Sequence, residues 1–367
     1  MFLAIRDIRF AKGRFAMMGG VVALITLLLV MLSGLTAGLA EQSTSAIARL
    51  GATAARPVDA IAFGAPGSGS PKASYTESSV TAAQVDSWQS RPGVHSAEPL
   101  GITQTRAQTA DGSGTANVAV FGVSPGSPLA PVEVSAGTAA VGASVAEALA
   151  VGQGDKVSLG GVELSVAAVV PDQWYAHTSV VWTALPAWGK AAHVSDAGQL
   201  ATVVAVTYAD GATVDEAAAN GAAHTVSESR TGSFQALGSF KSENGSLTLM
   251  QAFLYGISAL VIVAFLSVWT IQRTRDIAVL KAMGAPSSYI LRDAMTQAAI
   301  VLLAGAGVGG AVGVGAGLFA AQAAPFQLNL ATSVVPVVGI VALGLAGAAL
   351  AVRRVTKVDA LLALGGN

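Results

Sequence analysis

The chain has 367 residues, 53% of them hydrophobic and only 11% charged, with 42 glycines and no cysteine. Soluble domains carry about 25% charged residues, so there is too little charge here to coat a water-facing surface, which excludes ordinary soluble enzymes and nucleic-acid binders. The lack of thiols excludes disulfides, cysteine-ligated zinc, iron–sulfur clusters and thiol catalysis.

Residues 1–15 open the chain as a basic leader. Ala4, Ile5, Ile8, Ala11 and Phe15 share one arc, away from Arg6, Asp7 and Arg14, which predicts a helix lying on a membrane surface. A membrane span needs about 20 mainly apolar residues. No charge occurs between Arg14 and Glu41, and residues 16–40 are predicted as the first span. The basic flank, with the small Gly38 and Ala40, also fits a secretory signal. However, the apolar stretch from Ala16 to Ala40 outlasts the roughly 7–15 residues of such a signal, which favours a retained membrane helix.

Residues 41–246 form a segment long enough for a domain of its own. Glu41 to Leu50 reads as a helical continuation of the first span, and the Gly/Pro/Ser-rich stretch from Gly64 to Pro71 as an irregular loop. Strands are predicted at Asn117–Val123, Lys156–Leu159, Val162–Val170 and Thr202–Tyr208, with Gly160-Gly161 as a hairpin turn between the second and third. Helices are predicted at Val141–Val151 and Val214–Ala223, which makes the domain α+β. His95, His177, His193 and His224 are scattered without metal-ligand spacing, and no HExxH or Ser/His/Asp order compels catalysis.

The second uncharged run gives a span at residues 247–271, followed by a loop at 272–293. No charge occurs between Asp293 and Arg353, a stretch too long for one span. The amides and proline from Gln322 to Asn329 break it into spans at 294–321 and 331–352, joined by a hairpin loop at 322–330. Residues 353–367 form a basic tail. The fold class is therefore membrane α-helical, with four transmembrane helices and an α+β extracytoplasmic domain inserted between helices 1 and 2.

Charge orients this layout. Residues 1–15, 272–293 and 353–367 hold 11 basic and four acidic side chains, a net +7, which leaves −8 on residues 41–246. Basic residues collect on the cytoplasmic side. The prediction is a multi-pass cell-membrane protein with both termini cytoplasmic and residues 41–246 outside.

No GxxxxGK[ST] phosphate loop occurs; the lone Gly189-Lys190 is followed by Ala191. If ATP drives this protein, another chain binds it. Gly305, Gly307 and Gly310 formally satisfy GxGxxG, but they lie within an uncharged span, without the preceding strand a nucleotide site needs. Gly305, Gly309, Gly313 and Gly317 instead recur every fourth residue, a face that admits close approach of another helix backbone, within or between subunits.

The loop from Arg273 to Arg292 begins Arg-Thr-Arg-Asp-Ile-Ala-Val-Leu-Lys-Ala-Met-Gly-Ala-Pro, with Gly284 suited to a helix C-cap and Pro286 to the start of the next helix. This stretch resembles the loop after the second span in FtsX/MacB-type ABC permeases, where an Arg–acid–Ile/Gly–x–Leu–Arg/Lys–x–x–Gly pattern recurs. Ala146 to Pro171 is similar to part of the MacB-type periplasmic core, and the tail from Arg353 to Leu361 resembles the family's close, with Ala360 where proline is common. The leader and the four-span layout look most like haem-exporting permeases of Gram-positive bacteria.

The resemblance implies a homodimer in the lipid bilayer, riding on two copies of an ABC ATPase subunit that bind ATP and Mg. This chain would be a permease without nucleotide site, intrinsic cofactor or nucleic-acid partner. Contact with the ATPase would fall on Arg275, Asp276, Leu280, Lys281, Gly284 and Tyr289. Haem would be the transported substrate, and its iron accepts His, Met, Tyr or carboxylate ligands. The spans contain no histidine. The candidates are therefore Glu41, which would meet the haem iron at the outer end of span one, with Glu243, Met31, Met250 and Tyr255. Two other readings remain: an exporter of antimicrobial peptides or hydrophobic drugs, and an FtsX-like signal relay to a cell-wall hydrolase.

Overall fold

A computed structural model describes residues 12–52, 56–272, 279 and 283–356. In chain order its elements are α1 (Lys12–Ala48), β1 (Ala60–Phe63), α2 (Ala82–Gln89), β2 (Val94–Thr109), β3 (Thr115–Val123), β4 (Thr138–Gly142) and α3 (Ala143–Leu149). There follow β5 (Lys156–Leu159), β6 (Val162–Val170), β7 (Trp174–Tyr175), β8 (Thr178–Ala184), α4 (Leu185–Ala191), β9 (Val203–Tyr208), α5 (Glu216–Ala223) and β10 (Val226–Ser229). A short 3-10 turn (Gly232–Ala236) then precedes α6 (Gly238–Gln272), α7 (Ser287–Ala320) and α8 (Leu330–Thr356). The chain divides into two compact units, Ala40–Asn244 and the remainder, Met1–Leu39 with Gly245–Asn367.

Among the described residues, four helices, lying mostly in the second of these units, are long and apolar enough to cross a membrane. They are longer than the uncharged runs alone suggest. Lys12 to Phe15, expected in a separate surface helix, form the first turn of α1, and residues 1–11 lie outside the described residues. Ser287 to Asp293, expected in the loop, open α7, and Leu330 and Arg353 to Thr356 belong to α8. Val22, Leu29, Ile262, Leu302, Ala306 and Ile340 fill the helical core. Polar contact between α6 and α1 includes the Gln251 side-chain amide, which donates to Thr36 Oγ1 at 2.9 Å. The start of α8 is set by reciprocal capping. Asn329 Oδ1 accepts from the Thr332 amide at 2.8 Å, and Thr332 Oγ1 accepts from the Asn329 amide at 3.0 Å.

In the other unit the sheet runs β10-β1-β9-β2-β3-β8-β4-β6-β5, with β7 added to β8. The 16-residue β2 is its spine. Val94–Leu100 pairs with β9, Gly101–Gln108 with β3, and Ala107–Thr109 also with β5. Because β5 ends the strand path, its return to β2 closes β2, β3, β8, β4, β6 and β5 into a ring. Strands β3 and β8, and β4 and β6, run parallel. β1 is antiparallel to both β9 and β10.

The central strands are buried on both faces, and alternate residues enter two different cores. Val118 and Val120 of β3 pack with Trp88, Leu159 and Trp188, whereas Ala119 and Phe121 pack with Ile47, Phe63 and Trp182. The Val203 to Val206 run divides the same way. Gly101 and Gly122 face each other across β2 and β3, and a Cβ on either would overlap the Trp188 ring that lies against them.

Strands β3, β5, β6 and β9 stand where the sequence predicts strands, and Gly160 and Gly161 turn between β5 and β6 with φ of +55° and +88°. β2 escapes prediction because Pro99 and Gly101 interrupt its pattern. α2 opens on a Thr81/Gln84 capping box.

Candidate functional site

The last turns of α1 enter the strand-bearing unit, where Ser43 to Ile47 are buried. Arg230 Nη1 donates to the Ala48 carbonyl at 2.8 Å, which satisfies one orphan acceptor at the helix end. The β7–β8 hairpin lies against this segment. Its two connecting residues, Ala176 and His177, have φ of +47° and +63°. A two-residue hairpin turn of the primed type requires such values and ordinarily uses Asn-Gly. Here both residues carry a Cβ, so the turn is strained. Its amides find acceptors on the helix: Ala176 N donates to the Ser43 carbonyl at 3.1 Å and His177 N to the Gln42 carbonyl at 3.0 Å. Trp174 N donates to Ser45 Oγ at 2.9 Å.

This turn carries the His177 ring to two side chains. Nε2 lies 3.1 Å from Ser43 Oγ and 2.9 Å from Glu243 Oε2. The trio is not a hydrolytic triad, because a Ser–His–acid relay uses both ring nitrogens and here one nitrogen serves both partners. Tyr175, next to the turn, packs edge-on against Tyr75 and Phe121, and burial pushes its phenol above the usual range.

The five haem candidates fall in different units. Glu41 and Glu243 belong to Ala40–Asn244; Met31, Met250 and Tyr255 belong to the helical unit. Glu41 forms an ion pair with Arg49, just beyond the end of α1, and Glu243, in the second turn of α6, pairs with His177. Met250 is exposed on α6 and Met31 is half-buried on α1. The Tyr255 ring packs beside Gly339 of α8, where a Cβ would come within 3.1 Å of it. Each carboxylate thus has a basic partner that sequence spacing did not reveal. His177 and Glu243 are 66 positions apart and meet only because the hairpin folds onto α1.

In the expected coupling loop, Arg275, Asp276, Leu280 and Lys281 lie outside the described residues. Gly284 adopts a φ of +91°, and Tyr289 is exposed in the first turn of α7. The four spaced glycines of α7 face two neighbours. A Cβ on Gly305 would lie 2.7 Å from the Gly19 carbonyl, one on Gly309 would overlap the Ala23 backbone, and one on Gly313 would sit 3.0 Å from Val30. Gly317 faces Phe326 and Leu328 of the α7–α8 connection. Close backbone approach between α1 and α7 therefore depends on this face.

Two family models together span most of the chain: the MacB-like periplasmic core domain over residues 15–221 and the FtsX-like permease C-terminal domain over residues 231–360. Among curated relatives, a Staphylococcus epidermidis protein provisionally named hemin transport system permease protein HrtB is 29% identical over 131 residues, 36% of this chain and 37% of its own length. A Staphylococcus haemolyticus protein of the same name is 32% identical over 130 residues, 35% of this chain and 37% of that one. An uncharacterised ABC transporter permease of Mycobacterium tuberculosis is 34% identical over 128 residues, 33% of this chain and 34% of the relative. The chain thus matches little more than a third of these relatives' lengths. Of solved structures, the periplasmic region of MacB from Actinobacillus actinomycetemcomitans aligns at TM-score 0.35 and 10% identity, covering 50% of this chain and 92% of that one. The extracellular domain of the YknZ transporter from Gram-positive bacteria aligns at TM-score 0.34 and 13% identity, covering 47% and 98%. With the periplasmic-core model alone matching more than half of its residues, and the permease C-terminal model most of the rest, the chain belongs to the MacB/FtsX family of ABC transporter permeases.

Proposed function

We propose that this chain is the permease subunit of an efflux pump that takes haem from the outer leaflet and releases it outside the cell. In this reading both termini are cytoplasmic, the strand-bearing domain is extracytoplasmic and inserted between spans one and two, and two copies of the chain form a homodimer. A separate ATPase in two copies binds ATP and Mg and drives the pump through the loop at 272–293, with Arg275, Asp276, Leu280, Lys281, Gly284 and Tyr289 at the contact. The observation that carries the substrate is the similarity to relatives named as hemin transport permeases. The charge split between the termini and residues 41–246 supports the orientation.

Chemistry supports an acid at the outer end of span one. Haem is flat and apolar, with two propionates, and its iron accepts carboxylate, imidazole or thioether ligands. Glu41 and Arg49 form an ion pair; on haem binding the carboxylate would turn to the iron and the guanidinium to a propionate. Glu243, Met31, Met250 and Tyr255 are the further contacts in this reading. The test is haem titration of the purified full-length dimer, read in the Soret band. Glu41→Ala is expected to abolish the band of bound haem, and Arg49→Gln to weaken binding while keeping its spectrum. Identical titrations for wild type and Glu41→Ala would overturn the site. Stimulation of the coupled ATPase by a cationic antimicrobial peptide, with none by haem, would replace the substrate with the peptide.

A further inference from the structure

α1 begins with Lys12 and Arg14 exposed, and neither forms an ion pair among the described residues. Beside Lys12 runs a groove of about 400 Å³, walled by Ala16, Gly20 and Ala23 of α1 and by Ile300, Ala304 and Val308 of α7. Apart from the lysine its side chains are wholly apolar. From Lys12 to Ala23 a helix rises about 16 Å at ~1.5 Å per residue, close to half of the ~30 Å hydrocarbon core. The groove therefore has the depth of one leaflet.

Next to Arg14 a smaller recess of about 160 Å³ lies between α1 and α6, walled by Met18, Phe265 and Trp269. Phe15 lines both hollows and meets the Trp269 ring edge-on at 6.0 Å. Tryptophan favours the membrane–water boundary, so Trp269 sets this end of α1, with its two cations, at headgroup depth. Two apolar hollows then descend from a pair of cations and share one aromatic partition.

We propose that this is a binding site for an anionic diacyl phospholipid, its phosphate held by Lys12 and Arg14. One acyl chain lies in the α1–α7 groove and the other enters the α1–α6 recess. Charge favours a lipid over a helix of a second copy, because the otherwise apolar groove opens beside Lys12 and Arg14, neither of which has an ion pair among the described residues. Charge selects the headgroup, since basic residues at the membrane surface attract anionic lipids over zwitterionic ones. Gly20 keeps the floor open, because a Cβ there would meet nothing within 4 Å.

The test is native mass spectrometry of the full-length chain released from detergent micelles, titrated with palmitoyl-oleoyl phosphatidylglycerol and, in parallel, with the phosphatidylcholine of the same chains. Wild type is expected to retain phosphatidylglycerol over phosphatidylcholine. Lys12→Gln and Arg14→Gln should each weaken it about fivefold, the ratio one cation at a membrane surface supplies. Gly20→Leu should keep the wild-type melting temperature, because its side chain enters open space, yet lose the bound lipid by filling the groove. Equal retention of the two lipids would overturn the proposal. So would unchanged phosphatidylglycerol occupancy in Gly20→Leu, and so would loss of a dimer in Gly20→Leu with lipid occupancy intact, which would assign the groove to a second copy.

Discussion

One ring nitrogen of His177 touches a helix end and the start of another helix at once, and the backbone that presents it is strained. Removing the imidazole leaves the Ser43 hydroxyl buried without this partner and deprives Glu243 of its base. A lost hydrogen bond with a buried group stranded costs about 1–3 kcal/mol. His177→Ala is therefore expected to lower the melting temperature of the full-length protein by a few degrees, and His177→Gln, whose amide can still reach one of the two oxygens, by less. Equal melting temperatures for all three proteins would remove the bridge as a stabilising contact. At this scale the sequence reveals residue types but not meetings. Glu243 stands out because it flanks a span, and Gly284 because it ends a helical pattern. His177 carries no local signal, since its partners come from α1 and α6, and only the hairpin unites them.

Among the elements, the pairing of α1 with α7 rests on atoms that are missing. Gly305, Gly309 and Gly313 bring the α7 backbone against Gly19, Ala23 and Val30, while Gly307 and Gly315 between them would meet nothing within 4 Å. The contrast makes a matched experiment within one helix. Gly309→Leu must push α1 away and should cost about 3 kcal/mol or more, as overpacking does at its upper end. Gly307→Leu should be neutral or slightly stabilising through helix propensity. Melting temperatures of the two variants in the same micelle check this, and a stable Gly309→Leu would mean that the helices do not pack through this face. The four-residue glycine period was legible because helices repeat almost every four residues. Its partner helix was not, for the period records that something approaches closely and carries no mark of what. The strands divide likewise. The doubly buried run from Val203 to Val206 and the Gly160-Gly161 turn announce themselves, while β2 is disguised by Pro99 and Gly101, the latter kept small to seat Trp188.

Across the whole molecule, the absence of cysteine becomes an experimental advantage, because each introduced thiol is the sole reporter in its variant. The proposed orientation predicts that Ser113→Cys, in the exposed β2–β3 turn, reacts with a membrane-impermeant maleimide in intact cells. Ser288→Cys, at the exposed start of α7, should react only after the cells are opened. The reverse pattern would invert the topology. The four long apolar helices were legible because lipid forbids unpaired charge, so charge-free runs mark segments able to cross it. Strand order was not legible, since it depends on pairings between distant segments.

Those distant pairings constrain the order of events during synthesis. β1 emerges first, yet it lies between β9 and β10, with Ala60 beside Val206 on one side and Ser229 on the other. It has no strand to join until nearly the whole domain has left the ribosome. Long-range pairing of this kind folds slowly and leaves strand edges exposed meanwhile. The helix α1 is thus complete in sequence well before the strand-bearing unit that follows it can close. Completion of the sheet becomes a late checkpoint, reached only as α6 follows β10 out of the ribosome.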